Sequence, residues 1–257
     1  MKRLLAVLLA LLGSGCKSHT QIAPEDRASL EHTLTGPEAD RFLRLSMYIT
    51  PFFGDASKRL LTPYPPEDVL LLNDTQGKTI HPGSIEATVP AGAKVRIRQV
   101  EFPTAWAVTE RILYSPRTWP WVYVDVEGAP KGPPLVLVLP PHLQKREEFL
   151  AEVDRTLPTQ DPATKIASFS EPVREAIRQK KTVQDMPAEA LEMAWGYPET
   201  IKRTLEGSVH NEEWIYPSGR RHAFLTDGRL VRVEEGASPP LNLSPGSKLT
   251  APAKTPK

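Results

Sequence analysis

Short apolar segments separated by turn residues dominate the middle of the chain. In several of them apolar and polar residues alternate, which is typical of strands with one buried and one wet face. The predicted strands cover residues 69–72, 85–89, 94–98, 111–114, 121–126 and 135–139. Because they are short and separated by Pro and Gly, they predict a small barrel or a sandwich.

This β-rich domain is predicted to span residues 36–157. Thr35 and Glu38 have the spacing of a capping box, which predicts a brief helix at its start. Leu45, Met47 and Ile49 then alternate as in a strand. An amphipathic helix over residues 142–157 is predicted to close the domain.

Residues 171–235 show a different order of elements. Pro172 suits the first turn of a helix that continues through Gln179. A second short helix is predicted after Met186, ending at Gly196. Strands are predicted over residues 201–205, 212–216 and 222–226, with a possible fourth over 230–233. The polar residues 158–170 predict a linker, and the Pro-, Ser- and Lys-rich residues 236–257 predict a disordered tail.

The N-terminus has the pattern of a secretory signal over residues 1–15. Two basic residues precede a nine-residue apolar run, residues 4–12, which is too short to span ~30 Å of hydrocarbon. Small residues follow, and then Cys16, the single cysteine of the chain. The polar residues 16–35 predict a flexible tether.

The position of Cys16 resembles a bacterial lipobox, with Ser14 and Gly15 as the small residues before the cysteine. The resemblance implies that Cys16 is acylated and that the lipid anchors the mature chain. Lys17 stands where an aspartate would favour retention at the inner membrane, so the outer membrane is expected. Two alternatives remain: a plain signal peptide with an incidental cysteine, or a buried free thiol.

Two further resemblances concern the folded parts. The C-terminal part of the chain resembles the BamE-like (SmpA/OmlA) small lipoproteins. The segments that carry this resemblance are Met186-Pro187-Ala188-Glu189-Ala190-Leu191, Gly196-Tyr197-Pro198, Trp214-Ile215-Tyr216, Phe224 and Asp227-Gly228-Arg229-Leu230. They imply a two-helix, three-strand α+β domain over residues 171–235. The stretch Pro90-Ala91-Gly92-Ala93-Lys94-Val95-Arg96-Ile97 resembles SH3-like modules and implies a small barrel in the middle of the chain.

Composition limits the classes of partner. Removal of residues 1–15 leaves 30 basic against 31 acidic residues, so there is no global basic bias toward nucleic acid. One cysteine excludes an intramolecular disulfide, and acylation of Cys16 would also exclude a thiolate zinc site. The six histidines are scattered, so neither a metal nor another cofactor is expected.

The candidate binding chemistry lies in an aromatic and basic segment, residues 114–123. It contains Arg117, Trp119 and Trp121, and Tyr, Trp and Arg are enriched at binding hot spots. Arg96 and Arg98, on the wet face of a neighbouring predicted strand, complete the candidate surface. The alternative is that Trp119 and Trp121 belong to the core.

No nucleophile elbow, Ser-x-x-Lys motif of the penicillin-binding type or phosphate-binding loop stands out in the sequence, so no catalytic residue is assigned. The favoured interpretation is a non-catalytic outer-membrane lipoprotein, facing the periplasm, that binds envelope proteins. A peptidoglycan-binding module is the first alternative. A hydrolase with dispersed carboxylates is the second.

Overall fold

The computed structural model describes residues 18–36 and 40–236. They form two units, which we call the N-terminal unit (residues 18–36 and 40–157) and the C-terminal unit (residues 163–236). Both combine helices with strands, so the predicted α+β class is confirmed. The predicted signal segment, Cys16 and nearly all of the predicted tail lie outside the described residues.

A seven-stranded sheet is the centre of the N-terminal unit. Its strands are β1 Arg41–Phe42, β2 Met47–Phe52, β3 Asp55–Thr62, β4 Ala87–Val89, β5 Lys94–Glu101, β6 Trp121–Val126 and β7 Leu135–Val138. The spatial order is β1-β5-β6-β7-β3-β2-β4, so the two short strands β1 and β4 form the edges. Neighbouring strands are antiparallel except β3 and β7, which are parallel, with Arg59 opposite Leu135.

Three helices of the described chain accompany this sheet: α1 Pro24–Thr35, α2 Ala105–Glu110 and α3 Arg146–Thr156. The prediction of a flexible tether is wrong for α1. Leu30 and Leu34, one helical turn apart, are fully buried in the main core. Thr35 is the last residue of α1, so the predicted capping box at Thr35 is also wrong.

Side chains of β6 alternate between two hydrophobic clusters. Val122, Val124 and Val126 belong to the main core, which also contains the buried residues of α1 and α3. Trp121 belongs to a smaller cluster on the opposite face, with Phe52, Leu60, Val69 and Val136. The sheet is therefore buried on both faces around β6.

The C-terminal unit consists of three helices followed by a sheet. The helices are α4 Ala163–Ala167, α5 Glu171–Gln179 and α6 Ala188–Trp195, and the strands are β8 Thr200–Glu206, β9 Val209–Ile215, β10 Arg221–Thr226 and β11 Arg229–Glu235. The order β11-β10-β9-β8 is an antiparallel meander of four strands, where the BamE-like resemblance implies three; β11 contains the possible fourth strand over residues 230–233. Helix α4 lies within the predicted linker.

Two predicted strands are wrong. Residues 69–72 follow a 3-10 turn, Pro66–Asp68, and form no regular strand. Residues 111–114 form a turn after α2, in which Arg111 is buried and residues 112–114 are exposed. Both segments are apolar, but neither pairs with a neighbouring strand, because prolines at positions 63, 65 and 66 and the helix α2 direct the backbone away from the sheet.

Candidate functional site

An apolar groove lies at the junction of the two units and has a volume of about 600 Å³. We call it the junction groove. Its walls are formed by the loop after β3, Trp119 in the loop before β6, the loop after β7, helix α3 and the C-terminal unit. Residues that line it include Tyr64, Leu70, Leu71, Trp119, Pro140 and Pro141. Leu70 is 45% exposed, so part of this apolar surface is open to solvent.

The loop after β3 is held against the C-terminal unit by side-chain hydrogen bonds. The Tyr64 hydroxyl donates to the main-chain oxygen of Tyr197 at 2.9 Å. Asp68 accepts from the Ser218 hydroxyl at 2.6 Å and from Arg221 Nε at 2.7 Å. Because these bonds span about half of the chain, the groove exists only when both units are folded.

Close packing reinforces the same contact. Gly196 ends α6 with φ of 92°, a conformation that favours glycine. A Cβ atom at this position would lie 3.0 Å from Pro63 Cβ and 3.1 Å from Tyr64 Cε1. A side chain here would therefore push the groove wall away from α6.

Polar groups at the groove are few. Asp68 is buried and ion-paired, while His142, Arg155 and Glu199 also line the groove. Burial raises the pKa of Tyr64 to about 12, so its hydroxyl stays protonated and able to donate at neutral pH. The groove offers a mainly apolar surface with a few fixed polar groups, the usual character of a recognition site.

A buried lysine also joins the two units. Lys180 Nζ donates to the main-chain oxygens of Ser46 and Ala194, each at 2.6 Å. Burial, followed by the positive charge of Arg221, lowers the pKa of Lys180 well below its ordinary value. The Ser46 hydroxyl donates in turn to the main-chain oxygen of Ile177 at 2.6 Å, so Ser46 is hydrogen-bonded to the C-terminal unit through both its main chain and its side chain.

A second cavity, which we call the polar pocket, has a volume of about 540 Å³. Arg111 donates to Glu101 Oε1 at 2.6 Å and stacks on Trp121 with its guanidinium carbon 3.6 Å from the ring centroid. Tyr123 donates to Glu101 Oε2 at 3.0 Å. Lys58 donates to Asp55 Oδ2 at 2.7 Å.

Two carboxylates of the polar pocket, Asp55 and Glu101, are held in ion pairs. Although burial opposes ionisation of Asp55, hydrogen bonds from Lys58 and Ser57 hold its pKa below the ordinary value. Glycoside hydrolysis by two carboxyl groups needs one of them to be an acid with a raised pKa. The pKa of Asp55 is instead lowered. Glu101 accepts hydrogen bonds from Arg111 and Tyr123.

The structure separates the two tryptophans of the predicted binding surface. Trp121 is 1% exposed, packs edge-on against Phe52 at 5.0 Å and donates to the main-chain oxygen of Pro116. The prediction that Trp121 offers a surface is wrong, because its ring fills the smaller core cluster. Trp119 is half-buried and lines the junction groove.

The arginines of the predicted surface lie elsewhere. Arg96 and Arg98 are exposed on β5, and Arg98 pairs with Asp125 of β6 at 2.5 Å. Arg117 is half-buried, and its main-chain oxygen accepts a hydrogen bond from Arg111. Of the five predicted residues, Trp119 is therefore the one that lines the junction groove.

Sequence reasoning missed Tyr64, Asp68 and Leu70 as groove residues. The signal was present as the Pro-rich run over residues 63–66, since closely spaced prolines restrict the backbone to a few extended conformations. No family model, curated protein or solved structure matches this chain. Within residues 18–36 and 40–236, acidic and histidine side chains form no cluster suited to a metal ion. In the same ranges, no helix has the length and apolar character needed to cross a bilayer.

Proposed function

We propose that this chain is a lipid-anchored protein of the bacterial cell envelope that binds a protein partner through the junction groove and does not catalyse a reaction. The observation that carries the proposal is the mainly apolar lining of a groove of about 600 Å³ that both units build. Such surfaces mark recognition sites, because soluble monomers seldom leave them uncovered.

The anchor in this proposal is Cys16, and the outer membrane is the expected location because Lys17 follows it. The support comes from the sequence: a charged start, an apolar run too short to span a bilayer, small residues and then the cysteine. An acylated cysteine with two or more chains gives stable membrane attachment. The proposal places the folded units in the periplasm.

A polypeptide segment suits the junction groove better than a small polar substrate. Its apolar lining favours side chains such as Leu or Phe, while His142, Arg155 and Glu199 are positioned to meet main-chain groups or charges. Leu70 and Trp119 come from separate loops, so an extended segment between them would contact both.

The proposal includes two fold relationships. The C-terminal unit has helices α5 and α6 followed by an antiparallel meander, the order that the BamE-like resemblance implies. In the N-terminal unit, residues 90–93 form a turn that connects β4 to β5, as the SH3-like resemblance implies. Both relationships rest on the order of helices and strands and on the sequence segments given above.

Photo-crosslinking in cells tests the binding role. A photoreactive phenylalanine analogue replaces Leu70 in the full-length chain, and a matched variant carries it at Leu205, which is 63% exposed on the β8–β9 hairpin. We expect a discrete crosslinked protein from position 70 that is absent from position 205. Equal products from both positions, or none from position 70, would contradict the proposal.

Peptidoglycan is the second candidate partner, because Trp119 offers a half-buried aromatic face to the groove, and such faces stack on sugar rings. The full-length protein is sedimented with purified peptidoglycan beside its Trp119→Ala variant. Sedimentation of the wild type that Trp119→Ala abolishes would replace the protein partner with the cell wall.

A further inference from the structure

A cluster of exposed apolar side chains comes from the first turn of α2 and from the turn that follows this helix, and none of them lines the junction groove. Trp106 is 72% exposed, Ile112 45%, Leu113 61% and Tyr114 51%. We call these four residues the α2 patch. In the described part of the chain, ten large apolar side chains are exposed. Four of them thus fall within nine consecutive residues, and this concentration marks an interaction surface.

The α2 patch is held in place by a rigid base. The Thr104 hydroxyl caps the start of α2 by accepting from the main-chain N–H of Ala107 at 3.3 Å. Arg111, which is 7% exposed, donates to the main-chain oxygens of Arg117 and Trp119, each at 2.7 Å. The Ser115 hydroxyl donates to the main-chain oxygen of Ile112 at 2.8 Å. The exposure of the patch is therefore built into the fold.

The start of the described chain lies beside this patch. The main-chain N–H of His19 donates to the main-chain oxygen of Pro103 at 2.9 Å. Pro103 directly precedes Thr104, the N-cap residue of α2, and Trp106 is three residues further along. His19 is three residues after Cys16, and three residues span at most about 11 Å. An acyl group on Cys16 would therefore be attached close to the patch.

We infer that the α2 patch docks on the phospholipid bilayer and forms a second membrane contact next to the lipid anchor. The inference rests on the lipidation of Cys16 in the proposed function. Trp and Tyr prefer the interfacial layer of a membrane, where an apolar ring and a polar group are both accommodated. Ile112 and Leu113 supply the apolar area that enters the boundary of the acyl chains.

Two attachment points fix the orientation of the protein on the bilayer. A lipid chain alone permits rotation about a single link, whereas the anchor and the patch together hold α2 and β5 toward the membrane. The C-terminal unit follows in a fixed direction, because Asp68 and Arg221 join the two units.

Fluorescence quenching by labelled lipids tests this contact. The full-length chain is purified from bacterial membranes and reconstituted into phosphatidylethanolamine and phosphatidylglycerol vesicles that contain a phospholipid with a nitroxide near its headgroup. We expect part of the tryptophan fluorescence to be quenched, and Trp106→Phe to remove that quenchable part. The matched variant Trp214→Phe, at a position 3% exposed, should retain it.

A second pair of variants distinguishes an effect of the α2 patch from an effect of any exposed apolar side chain. Replacing Ile112 and Leu113 together by Ser should reduce the quenching of Trp106, and Leu205→Ser should leave it unchanged. Quenching that is equal in wild type and Trp106→Phe, or absent from wild type, overturns the inference. Dimers that disappear in the Ile112/Leu113 variant also overturn it, because a second copy would then cover the patch.

The intact mass of the same preparation reports the anchor independently. An acylated Cys16 without quenching of Trp106 leaves the anchor in place and overturns the patch contact. An unmodified chain whose Trp106 is quenched overturns the lipid anchor in the proposed function and supports the bilayer as the partner of the patch.

Discussion

Arg221 of the C-terminal unit donates its Nε–H to Asp68 of the N-terminal unit at 2.7 Å, and both side chains are buried. The guanidinium carbon of Arg221 also lies 4.8 Å from the ring centroid of Trp195 and 5.0 Å from that of Tyr216. The main polar contact between the units is thus enclosed by aromatic rings, where loss of one charge leaves the other without compensation.

Removal of the Asp68 charge should weaken the whole molecule. Asp68→Asn keeps the shape of the side chain but leaves Arg221 buried without its counter-charge, so we expect a loss of roughly 3–5 kcal/mol in the free energy of unfolding. Urea unfolding followed by circular dichroism measures it. Asp125→Asn is the matched control, because its pair with Arg98 is exposed and contributes less than ~1 kcal/mol. Equal losses from the two variants would refute this role of Asp68.

Lys180 should make stability depend on pH. Because its folded pKa is lowered, the unfolded chain binds more protons between the folded value and the ordinary value of about 10.4, so stability rises with pH in that window. The groups that face Lys180 Nζ are Arg221 and the ring of Tyr48, whose centroid lies 4.7 Å away. Neither is a carboxylate that would stabilise the positive charge of Lys180.

The measurement for Lys180 is the free energy of unfolding as the pH is raised toward the ordinary lysine pKa of about 10.4. We expect a rise in the wild type and a smaller slope in Lys180→Met. Lys131→Met, at an exposed turn, should keep the wild-type slope. A slope that is unchanged in Lys180→Met would show that other groups cause the pH dependence.

The two tryptophans on either side of Pro120 should respond differently to truncation. Trp121→Ala removes a fully buried ring and should cost about 3–5 kcal/mol of folding stability. Trp119→Ala should cost much less, because its ring is half-buried in the groove, but it should reduce capture of the partner. Urea unfolding and pulldown of the same pair of variants measure both effects. A stability loss as large for Trp119→Ala as for Trp121→Ala would place both rings in the core.

Helix α1 should behave as part of the folded core. Leu30→Ala should cost roughly 2–5 kcal/mol, since Leu30 is fully buried among residues of the main core. Thr33→Ala, on the exposed side of the same helix, is the control and should change stability little. If thermal or urea unfolding finds Leu30→Ala neutral, then α1 is not required for the core.

Local patterns in the sequence predicted some elements well. Residues 121–126 are a short run rich in Val and aromatic residues between Pro120 and Gly128, and β6 has those bounds. Residues 171–179 carry a proline in the first turn and a strong apolar face, and α5 has those bounds. In both cases the signal lies within the element itself.

Other elements have no such local signal. Strand β3 was missed because its buried positions include Asp55, Arg59 and Thr62, which obscure the alternation of apolar residues. The junction groove was missed because Asp68 and Arg221 are 153 residues apart in the chain. Contacts between residues so far apart in the chain depend on how the two folded units pack against each other. A short segment of sequence carries no signal for that packing.

The parallel pair of β3 and β7 has a consequence for how the protein folds. Arg59 pairs with Leu135, so the sheet is completed by closing a loop of about seventy residues that contains β4, β5, α2 and β6. Contacts of such long sequence separation slow folding into the range of milliseconds to seconds. During synthesis, β3 therefore remains an open edge until β7 arrives, and that interval is when the unfinished sheet is most exposed to aggregation and to chaperones.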